Sequence, residues 1–295
     1  MTSGIKWGKH PSESIKLRVV QESFEDYRAA PGINFSAMKH GVKSMAKVGH
    51  ALEGGGSKDT DATQEGRALH AAFLEPLRVG EAVQVCQIRR DKRTKAYQEF
   101  LAEYPTQTIL TESQWDRVGG MVEALRSHPD FVLSSMDNGS NFGVERSVYW
   151  TDPEFGMGCK CRMDMWENVD VEAPVVVKDI KKTVSIEPYK IDRAIWSDYR
   201  YDMQLLHYAR PWVLLGREVE FSFYMVESEA PHEVVKVELS YVDLIQSLAE
   251  WKGIMARIKE CRGRCGRPGM WPGMHPGGSY TSSRPTWQKK KEEAG

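Results

Sequence analysis

The sequence has no long hydrophobic run, almost no net charge and few cysteines. No stretch approaches the roughly 20 apolar residues that a membrane-spanning helix needs. The segment from Met1 to Lys16 is polar and carries Pro11, so it lacks the apolar core of a secretory signal. The five cysteines are odd in number and scattered, which argues against a disulfide framework and for a reducing cytosol. A formal net charge of -1 weighs against a protein that coats nucleic acid through bulk positive charge, although a basic groove can coexist with an acidic exterior. The expectation is a soluble, cytoplasmic protein with no membrane partner.

The 295 residues, 41% of them hydrophobic and 10% aromatic, suffice for one large core with appendages. Residues 1–30 read as a weakly structured arm, 31–263 as the main domain and 264–295 as a mobile tail. Trp271, His275, Trp287 and the run Lys289-Lys290-Lys291 give that tail the mixture of charge and aromatic rings that can grip single-stranded nucleic acid. Within the domain, 31–140 reads as helical. A helix capped near Asn34 or Ser36 precedes a flexible loop over 52–61. Thr63 opens a helix in which Leu69, Phe73 and Leu77 recur at helical spacing. Further helices span 92–103 and 111–127, the second beginning with a capping-box pattern at Thr111. Over 141–263 the character changes. Strands are predicted at 143–150, 157–166 and 174–181, helices at 186–195 and 198–215 with a bend at Pro211, strands at 218–227 and 232–239, and a helix at 240–262. That order predicts an α/β domain with a mixed central β-sheet flanked by helices and a helical N-terminal part.

The residues with chemistry lie at strand ends. Side chains alternate across a strand, so Cys159, Cys161 and Met163 suit a core while Lys160, Arg162 and Asp164 suit a polar cleft. The next strand, apolar from Val175, ends in Asp179-Ile180-Lys181, with Asp179 and Lys181 on one face. If these strands are neighbours, two acids and a lysine form a divalent-metal pocket beside a positive charge, an arrangement suited to phosphodiester hydrolysis. Each acid taken alone is equally a structural ion-pair partner. His70 follows Gly66 by one helical turn with Arg67 beside that face. Gln204 and Tyr208 share a helical face, with Tyr201 a turn earlier.

Together these blocks resemble the PD-(D/E)xK nuclease superfamily and, within it, the RecE-like and RecB-like (lambda-type) exonucleases of phage and bacterial recombination. Gly66-Arg67-Ala68-Leu69-His70 with Leu74-Glu75-Pro76, then Cys161 to Asp164 with Asp179-Ile180-Lys181, then Gln204 to Tyr208, occur in the order that group shows. Met163 stands where many members have proline, and Lys178 and Lys182 crowd the D-x-K triplet. The resemblance covers about residues 34–245. It implies a restriction-endonuclease-like core and one or two Mg²⁺ or Mn²⁺ ions, held by Asp164, Asp179, the Ile180 carbonyl and His70. Lys181 would orient a water or offset transition-state charge. Gln204 and Tyr208 would hold the DNA or brace the Lys181 side, and Arg67 would contact phosphate. It further implies 5'-3' digestion of linear double-stranded DNA, a ring-shaped homo-oligomer and a single-strand annealing protein as partner. A structure- or sequence-dependent endonuclease and a non-catalytic DNA-binding protein are the alternatives on the same fold. The cysteine spacing suits neither an iron–sulfur cluster nor a usual zinc site.

Overall fold

The computed structural model describes residues 15–55, 60–88, 90–91, 93–132, 142–169, 171–275 and 279. Its N-terminal part runs β1 (Arg18–Gln21), α1 (Phe24–Ala29), α2 (Phe35–Met38), α3 (Met45–Leu52), α4 (Asp61–Leu74), α5 (Val79–Ala82), β2 (Val83–Val85), α6 (Lys95–Glu103), β3 (Thr108–Leu110), α7 (Glu112–Ser127) and α8 (Pro129–Val132). The remainder runs β4 (Phe142–Asp152), β5 (Met157–Glu167), β6 (Val175–Thr183), α9 (Pro188–Arg193), α10 (Tyr201–Leu214), β7 (Val219–Glu227), β8 (Val234–Val237) and α11 (Tyr241–Cys265). Caps set the helix starts as the sequence suggests at two places. Asn34 accepts from the Ala37 amide, and Thr111 and Gln114 form a reciprocal capping box. The α4 helix starts earlier than expected, because Thr60 rather than Thr63 is the cap. It also ends at Leu74, ahead of Pro76, so Leu77 is fully exposed while Leu69 and Phe73 are buried.

Six strands form one sheet in the order β1-β4-β5-β6-β7-β8. All neighbours are antiparallel except β6 and β7, which are parallel and joined through α9 and α10. A parallel pair, β2 and β3, forms a separate small sheet. Both its strands are three residues long, too short for periodicity to reveal. The mixed α/β architecture expected from the sequence is therefore present.

Two hydrophobic clusters cover the two faces of the large sheet. The first gathers α2, α3, α10 and α11 residues, such as Met38, Val48, Leu206 and Ile254, against Cys161, Val177 and Phe223. The second gathers Leu69 and Phe73 of α4 with Val118 and Met121 of α7 against Met165, Ile180 and Tyr224.

The ends of the chain depart from expectation. Residues 18–29, read as part of a loose arm, form β1 on the sheet edge and the short helix α1. Lys160, expected in a polar cleft, is instead 2% exposed. Its ammonium donates to the carbonyls of Tyr27, Arg28 and Ala30 and so closes the C-terminal end of α1. The segment just after residue 264, read as mobile, packs closely: residues 268–270 form a 3-10 turn and Trp271 is buried. The turn sits on Gly49 of α3, where a Cβ would come 2.3 Å from the Pro268 carbonyl oxygen. Trp287 and Lys289 to Lys291 lie outside the described residues, as do residues 1–14 and 56–59 of the expected arm and loop.

Candidate metal centre

The site occupies a fork in the sheet. Strands β5 and β6 pair from Glu167↔Val176 to Met165↔Lys178 and then separate, β5 continuing against β4 and β6 against β7. The residues at the separation are Asp164 and Asp179. There the Asp164 carboxylate takes over from a strand partner: its Oδ2 accepts the Ile180 amide at 2.7 Å. The backbone N–H freed by the fork is thereby satisfied inside the protein.

A second irregularity sits across β5. The pairs Val144↔Met165 and Arg146↔Met163 bracket Glu145 and Asp164, which stand opposite each other. Glu145 has φ 48°, a left-handed conformation rare for a residue with a side chain. Both strands switch faces at this point. On β5, Cys161 and Met163 enter the first core, Met165 the second and Trp166 the first again. On β4, Val148 and Trp150 belong to the first core while Val144 packs on the second. Such local strain persists where the surroundings over-determine it, and it is common at functional sites.

His70 of α4 faces this pair. Its Nδ1 lies 3.6 Å from Glu145 Oε1 and 3.5 Å from Asp164 Oδ1, and its Nε2 lies 3.1 Å from the Ile180 carbonyl oxygen. Candidate ligand atoms of His70, Glu145 and Asp164 all lie within 4.8 Å of one another, close enough to share one ion. Glu145 was not among the residues singled out from the sequence. It lies 19 positions before Asp164 in a different strand, and only strand register brings the two together. Arg162 orients it, donating from Nε to Glu145 Oε2 at 2.6 Å.

Asp179 and Lys181 complete the cluster on β6. Asp179 is 1% exposed, and Gln204 Nε2 of α10 donates to its Oδ2 at 2.7 Å. The Lys181 ammonium forms a close ion pair with Asp179 Oδ1. The ammonium also sits 5.1 Å from the Tyr201 ring centre. The neighbouring lysines leave the field of the site little changed, because each has its own acid. Lys178 pairs with Glu167 at 2.8 Å and Lys182 with Glu65 at 2.9 Å.

The charges respond to this crowding. Burial, and then the nearby Asp179, push Asp164 up to about 7. Burial works to lower His70, but Asp164 and Glu145 outweigh it and raise the imidazole to about 9. With 28% of its side chain exposed, His70 is partly screened by solvent. Burial works to raise Glu145 as well, yet the hydrogen bonds from His70 and Arg162 hold it below the usual glutamate value. Lys181 is held charged by Asp179 and Asp164 against the opposing effect of burial. His70 thus lies between the two acids whose charge raises it.

Of the residues expected to contact DNA, Gln204 is buried and its amide is committed to Asp179. Bracing, not strand contact, is what this position allows. Tyr208 is half-buried and packs edge-on to Phe221. Arg67 is exposed, and its Nε donates to Thr108 Oγ1 at 3.3 Å, tying α4 to β3.

Two carboxylates and an imidazole, from Glu145, Asp164 and His70, form a donor set that suits a hard divalent cation, while Asp179 beside them is held by Gln204 and Lys181 and the Ile180 carbonyl meets His70. A forked sheet with acids on adjacent strands and a lysine two residues after the second acid defines the PD-(D/E)xK nuclease class. The chain belongs to the family described as PDDEXK-like domain of unknown function (DUF3799), whose model matches residues 34–271. A solved structure from Eubacterium rectale, of a protein provisionally named an exonuclease, is similar over 92% of this chain and 98% of its own, with a TM-score of 0.50 and 11% identity. That likeness concerns the fold. No curated protein matches the chain.

Proposed function

We propose that the protein is a metal-dependent DNA exonuclease that hydrolyses phosphodiester bonds of linear double-stranded DNA, with Mg²⁺ or Mn²⁺ as the ion. The observation that carries this reading is the fork itself, which sets His70, Glu145 and Asp164 beside Asp179 and Lys181. When bound there, the ion supplies Lewis acidity toward a phosphoryl oxygen. The chain's own residues do the rest. Asp164, Glu145, Asp179 and His70 hold the ion, and the carbonyl of Ile180 keeps the imidazole oriented. Lys181, fixed by Asp179 and the Tyr201 ring, places a positive charge where negative charge grows on the phosphate. Gln204 holds Asp179 in position.

The resemblance to recombination nucleases extends the proposal to 5'-3' resection, a homo-oligomeric ring and a single-strand annealing partner. Digestion of duplexes labelled at the 5' or 3' end, with Mg²⁺ and with EDTA, tests the reading. Early release of the 5' label from linear duplex, with closed circles left intact, is the expected result. Cutting of closed circles would make the protein an endonuclease, and an intact duplex in Mg²⁺ and in Mn²⁺ would leave only DNA binding.

A further inference from the structure

An aromatic stack leads from the metal centre to the surface. Phe223, fully buried on β7, stacks with Tyr201 at 5.4 Å between ring centres and 30° between planes. Tyr201 stacks in turn with Tyr199 at 5.4 Å and 18°. Lys181 lies against the middle ring, so Tyr199 is one ring removed from the lysine that faces the reacting phosphate. Tyr199 is 53% exposed, and Tyr201 is its one ring neighbour among the described residues. A large aromatic side chain left in water at the end of a near-parallel stack offers an open π-face.

The backbone that presents it is unusual and tightly held. Residues Ala194–Asp198 form a π-helical turn, a form found mostly as single turns and often at functional sites. The Tyr199 amide donates back to Ala194. Arg200 then adopts a left-handed conformation, φ 59° and ψ 49°, before α10 begins. Its guanidinium is bidentate to Asp202, at 3.0 and 2.9 Å, and to Glu250, at 3.2 and 2.7 Å. That left-handed residue, pinned by two acids, turns the chain so that residues two apart stack ring on ring.

We propose that Tyr199 is a platform for one unpaired nucleobase of the strand being cut, stacked outside Tyr201 while a phosphate further along the same strand meets Lys181. This rests on the nuclease reading above and adds that the strand enters the site unpaired at that nucleotide. Stacking requires no base identity, because every base has a π-face, so the platform selects for an unpaired strand over a paired one and not for sequence.

The test uses full-length protein and linear DNA carrying 2-aminopurine or an abasic nucleotide at each position near the labelled end. In EDTA, the parent protein should quench 2-aminopurine at one position, Tyr199→Ala should abolish that quench, and Tyr199→Trp should keep it. In Mg²⁺, Tyr199→Ala should lower kcat/KM about tenfold, the scale of base–aromatic stacking. An abasic nucleotide at the same position should slow the parent by a similar factor and leave Tyr199→Ala unaffected. A merely structural role would slow Tyr199→Ala on every substrate alike. Parent protein that digests DNA, paired with a Tyr199→Ala variant within twofold of it or slowed equally by the abasic nucleotide, overturns the platform alone. Parent protein that leaves all DNA intact overturns the nuclease reading and the platform with it.

Discussion

Glu145 and Asp164 stand opposite each other on adjacent antiparallel strands, with the His70 imidazole 3.6 and 3.5 Å from their carboxylates. Like charges facing each other across a sheet destabilise it unless a cation lies between them. His70, raised by these two acids, lies between them, and a divalent ion bound there would do the same with twice the charge. Glu145→Gln keeps an acceptor for Arg162 and removes one ligand charge. Calorimetric titration with Mn²⁺ should show affinity reduced by about tenfold or more, while the melting temperature without metal stays within a few degrees of the parent. Unchanged Mn²⁺ affinity would remove Glu145 from the site.

Lys181 and Asp179 separate chemistry from folding. Lys181→Ala and Asp179→Ala should each lower digestion of linear duplex by more than about a hundredfold, with the circular dichroism spectrum unchanged. Either variant digesting as fast as the parent would show that the catalytic centre lies elsewhere.

Gln204 gives a different signature. Gln204→Ala leaves Asp179 Oδ2 buried without its donor, a loss of about 1–3 kcal/mol in denaturant unfolding. It should lower kcat while affinity for DNA in EDTA stays close to that of the parent. A variant that loses DNA affinity and keeps kcat would return Gln204 to strand contact.

The titration of the pair has a definite sign. His70 is raised from 6.5 to about 9, so its stabilising contribution is complete below pH 6.5 and is lost as pH rises to about 9. Asp164, raised from 3.8 to about 7, retains a proton in the folded state, which also makes stability fall as pH rises toward 7. In EDTA the melting temperature should therefore decline from about pH 4 to 9, through Asp164 up to about pH 7 and through His70 above pH 6.5, and His70→Gln should flatten the slope above pH 7. Over the same interval Mn²⁺ should bind more tightly as pH rises, because ligand protons compete with the ion. A pH-independent Mn²⁺ affinity would contradict both assignments.

Trp271 lies in a segment that composition alone marks as a tail. Its burial beside the turn on Gly49 makes it part of the core. Trp271→Ala should cost about 3 kcal/mol in chemical denaturation, whereas a mobile tail residue would cost nothing measurable.

Much of this site was legible in the sequence, for identifiable reasons. Asp164, Asp179 and Lys181 sit where apolar alternation stops, and His70 shares a regular helix with Leu69 and Phe73. Glu145 was not legible, because nothing within β4 states which residue of β5 it will face. The face switch at Glu145 and Asp164 was equally hidden, since the apolar positions Val144, Val148 and Trp150 keep even spacing through it. Lys160 was misplaced because strand alternation describes a sheet before anything covers it, and α1 covers this lysine. The strand β1, four residues of mixed character, is defined only by its partner.

The fork between β5 and β6 replaces one rung of a sheet with a side chain. The Ile180 amide hydrogen therefore belongs to Asp164 and not to a neighbouring strand. Its nuclear resonance and its rate of exchange with solvent follow the charge on one carboxylate. A single backbone proton thus becomes an internal gauge of whether that carboxylate holds a proton, a metal or neither.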